Sequence, residues 1–168
     1  SDVAKARWIW FAEGEPAQSA PVGTRYFRKT IEVPADRKLS SATAFLAGDN
    51  QAKLFVNGAH ATDFSTAKSA TEKPITDLLA PGKNVIAISV DNAGSAPNPA
   101  GLLAAFVLRF ESGDPVLITT DGEWKSSDAT IENWNAAAFD DSAWGNAKDL
   151  GASDLQPWGT PKKPESRV

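Results

Sequence analysis

Residues 52–64 read AKLFVNGAHATDF, and the Asn57-Gly58 pair at their centre limits the fold more than any other segment. Both central residues of a type I′ turn need positive φ, and Asn-Gly satisfies this at small cost, so two extended runs flanking the pair read as a β-hairpin. A two-residue loop pairs Val56 with Ala59, Phe55 with His60, Leu54 with Ala61 and Lys53 with Thr62. Successive side chains point to opposite faces of a strand. Ala52, Leu54, Val56, Ala59 and Ala61 therefore share the expected core face, and Lys53, Phe55, His60 and Thr62 share the outer one.

Other segments follow the same period. Residues 25–33 set Phe27, Ile31 and Val33 against Tyr26, Arg28, Thr30 and Glu32, and residues 84–90 put Ile86, Ile88 and Val90 on one face. Residues 102–110 are apolar on both faces, as a central strand covered on each side would be. Glu111-Ser112-Gly113-Asp114 turns the chain into a hairpin partner at 116–120, and residues 7–11 and 41–47 are further strands. Helical signals are confined to single turns at 76–79 and 139–144. Many short strands divided by turn signals predict an all-β antiparallel β-sandwich of jelly-roll type. One domain is expected over residues 1–158, with a flexible tail or linker at 159–168.

Composition removes several function classes. Cys is 0 and His is 1, so disulfides, thiol chemistry, Cys-ligated metals and His-rich metal sites are excluded within these 168 residues. A net charge of -4 offers no basic surplus to neutralise phosphates, so no nucleic-acid partner is expected. No apolar run approaches the ~18 residues of a membrane-spanning helix. Met is also 0, as expected of a processed chain. The lack of Cys fits a cytosolic protein and an exported bacterial domain equally well.

RYFRKTIEV, LFVNG, ITDLLAPGKNVIAISVDN and LLAAFVLRFESGDPVLITTDGEWKSS occur in that order, with FDDSAW near residue 140. This string resembles the accessory jelly-roll domain that precedes the catalytic barrel of bacterial α-L-rhamnosidases. It is also similar to the N-terminal sugar-binding-like domain of family 2 glycoside hydrolases, and both are galactose-binding-like sandwiches. The resemblance covers roughly residues 7–128. It implies a non-catalytic carbohydrate-binding or accessory module of an exported bacterial polysaccharide-degrading protein. Such a module would be secreted, periplasmic or on the cell surface, with a glycan and a catalytic domain of the parent protein as partners. The alternative is a structural domain that docks a neighbouring catalytic domain and binds no sugar. The acid and base of those enzymes lie on the barrel, so no catalytic role passes to this chain. Many galactose-binding-like domains hold Ca²⁺ with loop oxygens, and Asp49, Asp91, Asn92 and Asn98 are the candidate donors here.

The residues carry their own argument beside that resemblance. His60 has no second histidine to support metal or triad chemistry and reads as a cross-strand neighbour of Phe55. Glu13/Glu15 and Asp140/Asp141 are close in sequence, whereas glycoside hydrolysis needs two carboxyls facing each other across a sugar. Six tryptophans are the larger signal, because sugar C–H faces stack on aromatic rings. Trp8 and Trp10 occupy alternate positions of one strand and are expected to share a buried face, and Trp124 is expected to pack. Trp134 stands in the polar run Ile131-Glu132-Asn133-Trp134-Asn135. The candidate sugar site is therefore the loops carrying Asp91, Asn92, Asn98, Glu132, Asn133 and Trp134. The competing reading is that Trp134 packs into the core and that Asp91 and Asn92 only hydrogen-bond loop backbone.

Overall fold

The computed structural model describes residues 2–163. After a 3₁₀ turn at Asp2–Lys5, the strands are β1 (Arg7–Trp10), β2 (Gly23–Val33), β3 (Leu39–Asp49), β4 (Gln51–Val56), β5 (Ala59–Phe64) and β6 (Thr71–Pro74). A second 3₁₀ turn, Thr76–Leu78, precedes β7 (Gly82–Asn92), β8 (Gly101–Phe110), β9 (Val116–Thr119), β10 (Lys125–Ser127), β11 (Gly145–Asn146) and β12 (Lys148–Ala152). One antiparallel sheet runs β12-β1-β8-β3-β6, with β9 also on β8; the other runs β11-β10-β2-β7-β4-β5. The fold is an all-β antiparallel sandwich, as the strand pattern predicts.

The expected faces fill the space between the sheets. Phe27, Leu46, Leu54, Ile86, Ile88, Leu102 and Phe106 are fully buried in one cluster. Burial of each such side chain is worth ~1.5–3 kcal/mol. β8 is covered on both sides: Leu102, Phe106 and Leu108 face this core, while Leu103 and Ala105 join a second cluster behind the sheet. Trp124 lies in the main core and donates Nε1–H to the Thr119 carbonyl at 3.0 Å.

Asn57 and Gly58 take φ of 51° and 85°, and β4 pairs β5 as Val56 with Ala59 and Phe55 with His60. There the expected register ends. A bulge puts Leu54 opposite Thr62, Lys53 opposite Asp63 and Ala52 opposite Phe64. The extra residue, Ala61, shifts the alternation by one, so Phe64 enters the core; Ala59, ahead of the bulge on the edge strand, keeps its expected partner but is exposed. The tryptophans of β1 also depart from expectation. Both are fully buried, yet Trp10 packs on Phe27 of the main core while Trp8 belongs to the cluster behind the sheet. The register of β1 against β12 shifts between Trp8 and Ile9, and this irregularity breaks the strict alternation that would have put both rings on one face.

The chain stays on the body beyond residue 158. Trp158 stacks on Trp8 with ring centroids 4.4 Å apart and donates Nε1–H to Asp49 Oδ2 at 2.9 Å. Pro161 is buried, and Lys162 exchanges backbone bonds with Lys68 and Ala70 at 2.8 and 2.9 Å. Pairing therefore does not stop at the boundary expected from the sequence; the rest of the expected tail, 164–168, lies outside the described residues. Residues 139–144 form turns and no helix, and no helix among the described residues is long and apolar enough to cross a membrane.

Candidate functional site

β2, β7, β4 and β5 lie side by side, and their outer faces align in rows set by the register. Thr24, Asp91 and Gln51 form one row; Tyr26, Ser89, Lys53 and Asp63 form the next; Arg28, Ala87, Phe55 and His60 form a third. Residues 128–144, which contain no strand or helix, pass over part of this face. They set Trp134 edge-on against Tyr26, at 4.8 Å between centroids, and against Phe55, at 5.7 Å.

The result is a cleft of about 530 Å³, within the size range of small-ligand sites. Its aromatic side is Trp134, Tyr26 and Phe55, and its polar side includes Gln51, Lys53, Ser65, Ser89 and Asp91. Some of these groups are engaged. Asp91 Oδ1 accepts the Thr24 hydroxyl at 2.5 Å, Asp63 Oδ1 meets His60 Nε2 at 2.7 Å, and Tyr26 and Thr130 share a hydroxyl hydrogen bond of 2.5 Å. The site thus joins stacking surface to hydrogen-bonding groups that face solvent. A second hollow of about 400 Å³, lined by Asp49, Asn50, Thr66, Lys68 and Trp158, adjoins it through Ser65.

Of the residues singled out in the sequence, Asp91 and Trp134 line this cleft together. Asn92 does not: it is 1% exposed, and its Nδ2 donates to the carbonyls of Ala20, Pro21 and Asn98. It follows Asp91 on β7, so it points to the other face. Asn98 uses its Nδ2 on the Ala93 and Ala96 carbonyls, both at 3.0 Å, and holds its own loop closed. Glu132 and Asn133 are exposed on the Trp134 loop but do not line the cleft. Gln51, Lys53, Phe55, Tyr26 and Ser89 also line the cleft and are not among the residues that the sequence singles out. The hairpin register already placed Lys53 and Phe55 on an outer face, and a search along that face would have reached them.

Each residue named for Ca²⁺ makes a hydrogen bond within the fold, the two aspartates through one carboxylate oxygen and the two asparagines through their amide nitrogens rather than their oxygens. Asp49 Oδ2 accepts from Trp158, Asp91 from Thr24, and the amide nitrogens of Asn92 and Asn98 hold carbonyls. Among the described residues, no three His, Cys, Asp or Glu side chains gather around a common point. Asn92 Oδ1 is a buried acceptor without a partner.

The carboxylate pairs have structural work. Glu13 takes both Nε and Nη2 of Arg25, at 2.9 and 3.0 Å, and also accepts the Trp10 indole N–H at 3.2 Å. Asp141 pairs with Arg28 at 2.9 Å. Asp140 accepts the backbone N–H of Ser142 at 2.9 Å; that bond, with a further one from the Ser142 hydroxyl, holds its carboxyl below the ordinary carboxylate value. His60 packs edge-on against Phe55 at 5.6 Å, the neighbour expected from the hairpin.

No protein-family model matches the chain. An α-L-rhamnosidase of Streptomyces avermitilis is 38% identical over 159 residues, which is 90% of this chain but 15% of that protein. The crystal structure of the S. avermitilis α-L-rhamnosidase complexed with L-rhamnose superposes with a TM-score of 0.87 at 34% identity, over 95% of this chain and 16% of that one. A lectin from Pleurotus ostreatus in complex with GalNAc superposes with a TM-score of 0.88 at 30% identity, over 96% of this chain and 48% of that one. The chain is similar to a domain-sized portion of these proteins and spans a small part of the rhamnosidase's length.

Proposed function

We propose that this chain is a non-catalytic glycan-binding module and that the sugar lies in the cleft beside Trp134. The observation that carries the reading is the meeting of an aromatic wall (Trp134, Tyr26, Phe55) with the polar groups of Gln51, Lys53, Ser89 and Asp91 in one solvent-open cleft. A pyranose has an apolar C–H face that stacks on an aromatic ring and equatorial hydroxyls that need donors and acceptors. Lys53 donates, Asp91 Oδ2 accepts, and Gln51 and Ser89 do both. Of the four carboxylates considered as acid and base, Glu13 and Asp141 are tied to Arg25 and Arg28 and Asp140 to a backbone N–H, while Glu15 is exposed beside Lys148 at 3.6 Å. A sugar-bound lectin and a sugar-bound rhamnosidase of the same fold add support. In this reading the chain is the accessory part of a longer, exported bacterial protein that degrades polysaccharide. Docking against a catalytic domain is the second role considered from the sequence. It calls for a broad apolar patch, and the exposed large hydrophobics among the described residues are Val22 at 43% and Ile131 at 40%.

The test is a glycan array followed by calorimetry of wild type and Trp134→Ala, with L-rhamnose and GalNAc as first probes. Loss of a stacked ring costs ~1 kcal/mol or more, about a fivefold or larger rise in Kd. Unchanged affinity in a folded variant moves the site elsewhere. Absence of binding to every glycan on the array sinks the reading.

A further inference from the structure

The structure assigns Arg28 as the residue that positions the aromatic wall of the cleft; its meaning for sugar binding rests on the reading above. Arg28 lies on the outer face of β2, between Lys125 of β10 and Ala87 of β7. Charged side chains on an outer face are normally solvated, yet this one is 2% exposed. The cover comes from the segment that carries Trp134.

That segment has little to hold it in place by itself. Its backbone bonds are local turns: Trp134 to Ile131, Ala136 to Asn133 and Phe139 to Ala136. The Arg28 guanidinium supplies what the turns lack. Nη1 donates to the Trp134 carbonyl at 2.6 Å and the Ala136 carbonyl at 2.9 Å, Nη2 to the Phe139 carbonyl at 3.1 Å, and Nε to Asp141 Oδ2 at 2.9 Å. The Phe139 ring lies 5.1 Å from the guanidinium carbon. One planar cation thus gathers three carbonyls and a carboxylate spread over residues 134–141. Among the described residues, the other side-chain hydrogen bond from a strand to residues 130–141 is that of Tyr26 with Thr130. Arg28 bonds the Trp134 carbonyl directly, so it fixes where that backbone sits over Tyr26 and Phe55. A lysine cannot replace it, because a single ammonium cannot present a fork of donors in two directions.

A general stabilising role would weaken the whole domain; a positioning role loosens one segment and displaces one ring. Amide hydrogen exchange of the whole chain separates these in the Arg28→Lys variant. Residues 131–141 are expected to exchange at least about tenfold faster, the factor that corresponds to one lost hydrogen bond to a charged group, while amides of β7 and β8 keep their protection. Faster exchange spread evenly over the domain, or no acceleration in 131–141, overturns the assignment. If Arg28→Lys does not fold, Asp141→Asn removes the charged partner and leaves the three carbonyls. It should accelerate the same segment by a smaller factor, and no local acceleration there overturns the assignment equally. This arm needs no sugar, so it stands or falls apart from the glycan reading. Titration with L-rhamnose and GalNAc then joins the two. Arg28→Lys should raise Kd in the wild-type background and leave it unchanged in the Trp134→Ala background. An equal effect in both backgrounds places Arg28's influence somewhere other than Trp134.

Discussion

Asn57→Gly separates a turn residue from an anchor. Glycine takes positive φ at least as readily as asparagine, and Gly-Gly is itself a favoured type I′ pair, so an argument from turn chemistry makes the change nearly neutral. The structure gives the side chain three further tasks. Asn57 Oδ1 accepts the Val85 N–H at 2.9 Å, and Nδ2 donates to Asn84 Oδ1 at 2.8 Å and to the Leu78 carbonyl at 3.0 Å. Val85 and Asn84 are buried, so water cannot freely replace those bonds. At about 1 kcal/mol net per bond, with a larger penalty for any buried group left unpaired, the loss comes to ~2–4 kcal/mol. That is a sizeable share of the ~5–15 kcal/mol available to a domain. Equilibrium unfolding in urea should show a lower midpoint with an unchanged m-value. Asn57→Asp keeps the acceptor for Val85 but turns an oxygen toward Leu78 O and Asn84 Oδ1, so it should fare no better than glycine, although Asp-Gly is also a good turn pair. A change within about 0.5 kcal/mol for both variants, the range of an ordinary surface substitution, would refute the reasoning.

A Cβ at Gly101 would sit 2.7 Å from Trp158 Cη2 and 3.0 Å from Trp8 Cε3, so Gly101→Ala should cost ~1–3 kcal/mol by overpacking. Gly145→Ala, with nothing within 4 Å, is the matched control, and thermal unfolding of both checks the pair. Hydrogen bonds lower the Asp140 carboxyl pKa below its unfolded value, so its contribution is present above the unfolded pKa and lost as pH falls through the lowered folded one. Asp140→Ala should therefore flatten the acid limb of a stability-against-pH curve below about pH 4, where a larger pH dependence than wild type would contradict the assignment.

How much of this was legible beforehand depends on range. The Asn57-Gly58 turn, the two-sided burial of residues 102–110, the pairing of His60 with Phe55 and the Val116–Thr119 hairpin partner could all be read, because each follows from a period of two and from turn chemistry within a few residues. The bulge at Ala61 could not, since it answers to Phe64 filling the core rather than to anything in the hairpin. Nor could the fate of neighbours such as Asp91 and Asn92: one lines the cleft and the other binds three carbonyls beneath it, a division made by which face of β7 meets the core. Residues 128–144 show no periodicity, so nothing local indicated that they fold over the outer face and bury Tyr26 and Arg28. That strands form, and which side chains alternate along them, can be read from the residues alone, because those preferences act between near neighbours. Tertiary structure alone decided which strands stand together as β2-β7-β4-β5, and so which distant side chains share a cleft, because strand neighbours are chosen by joint burial of surfaces that lie far apart along the chain.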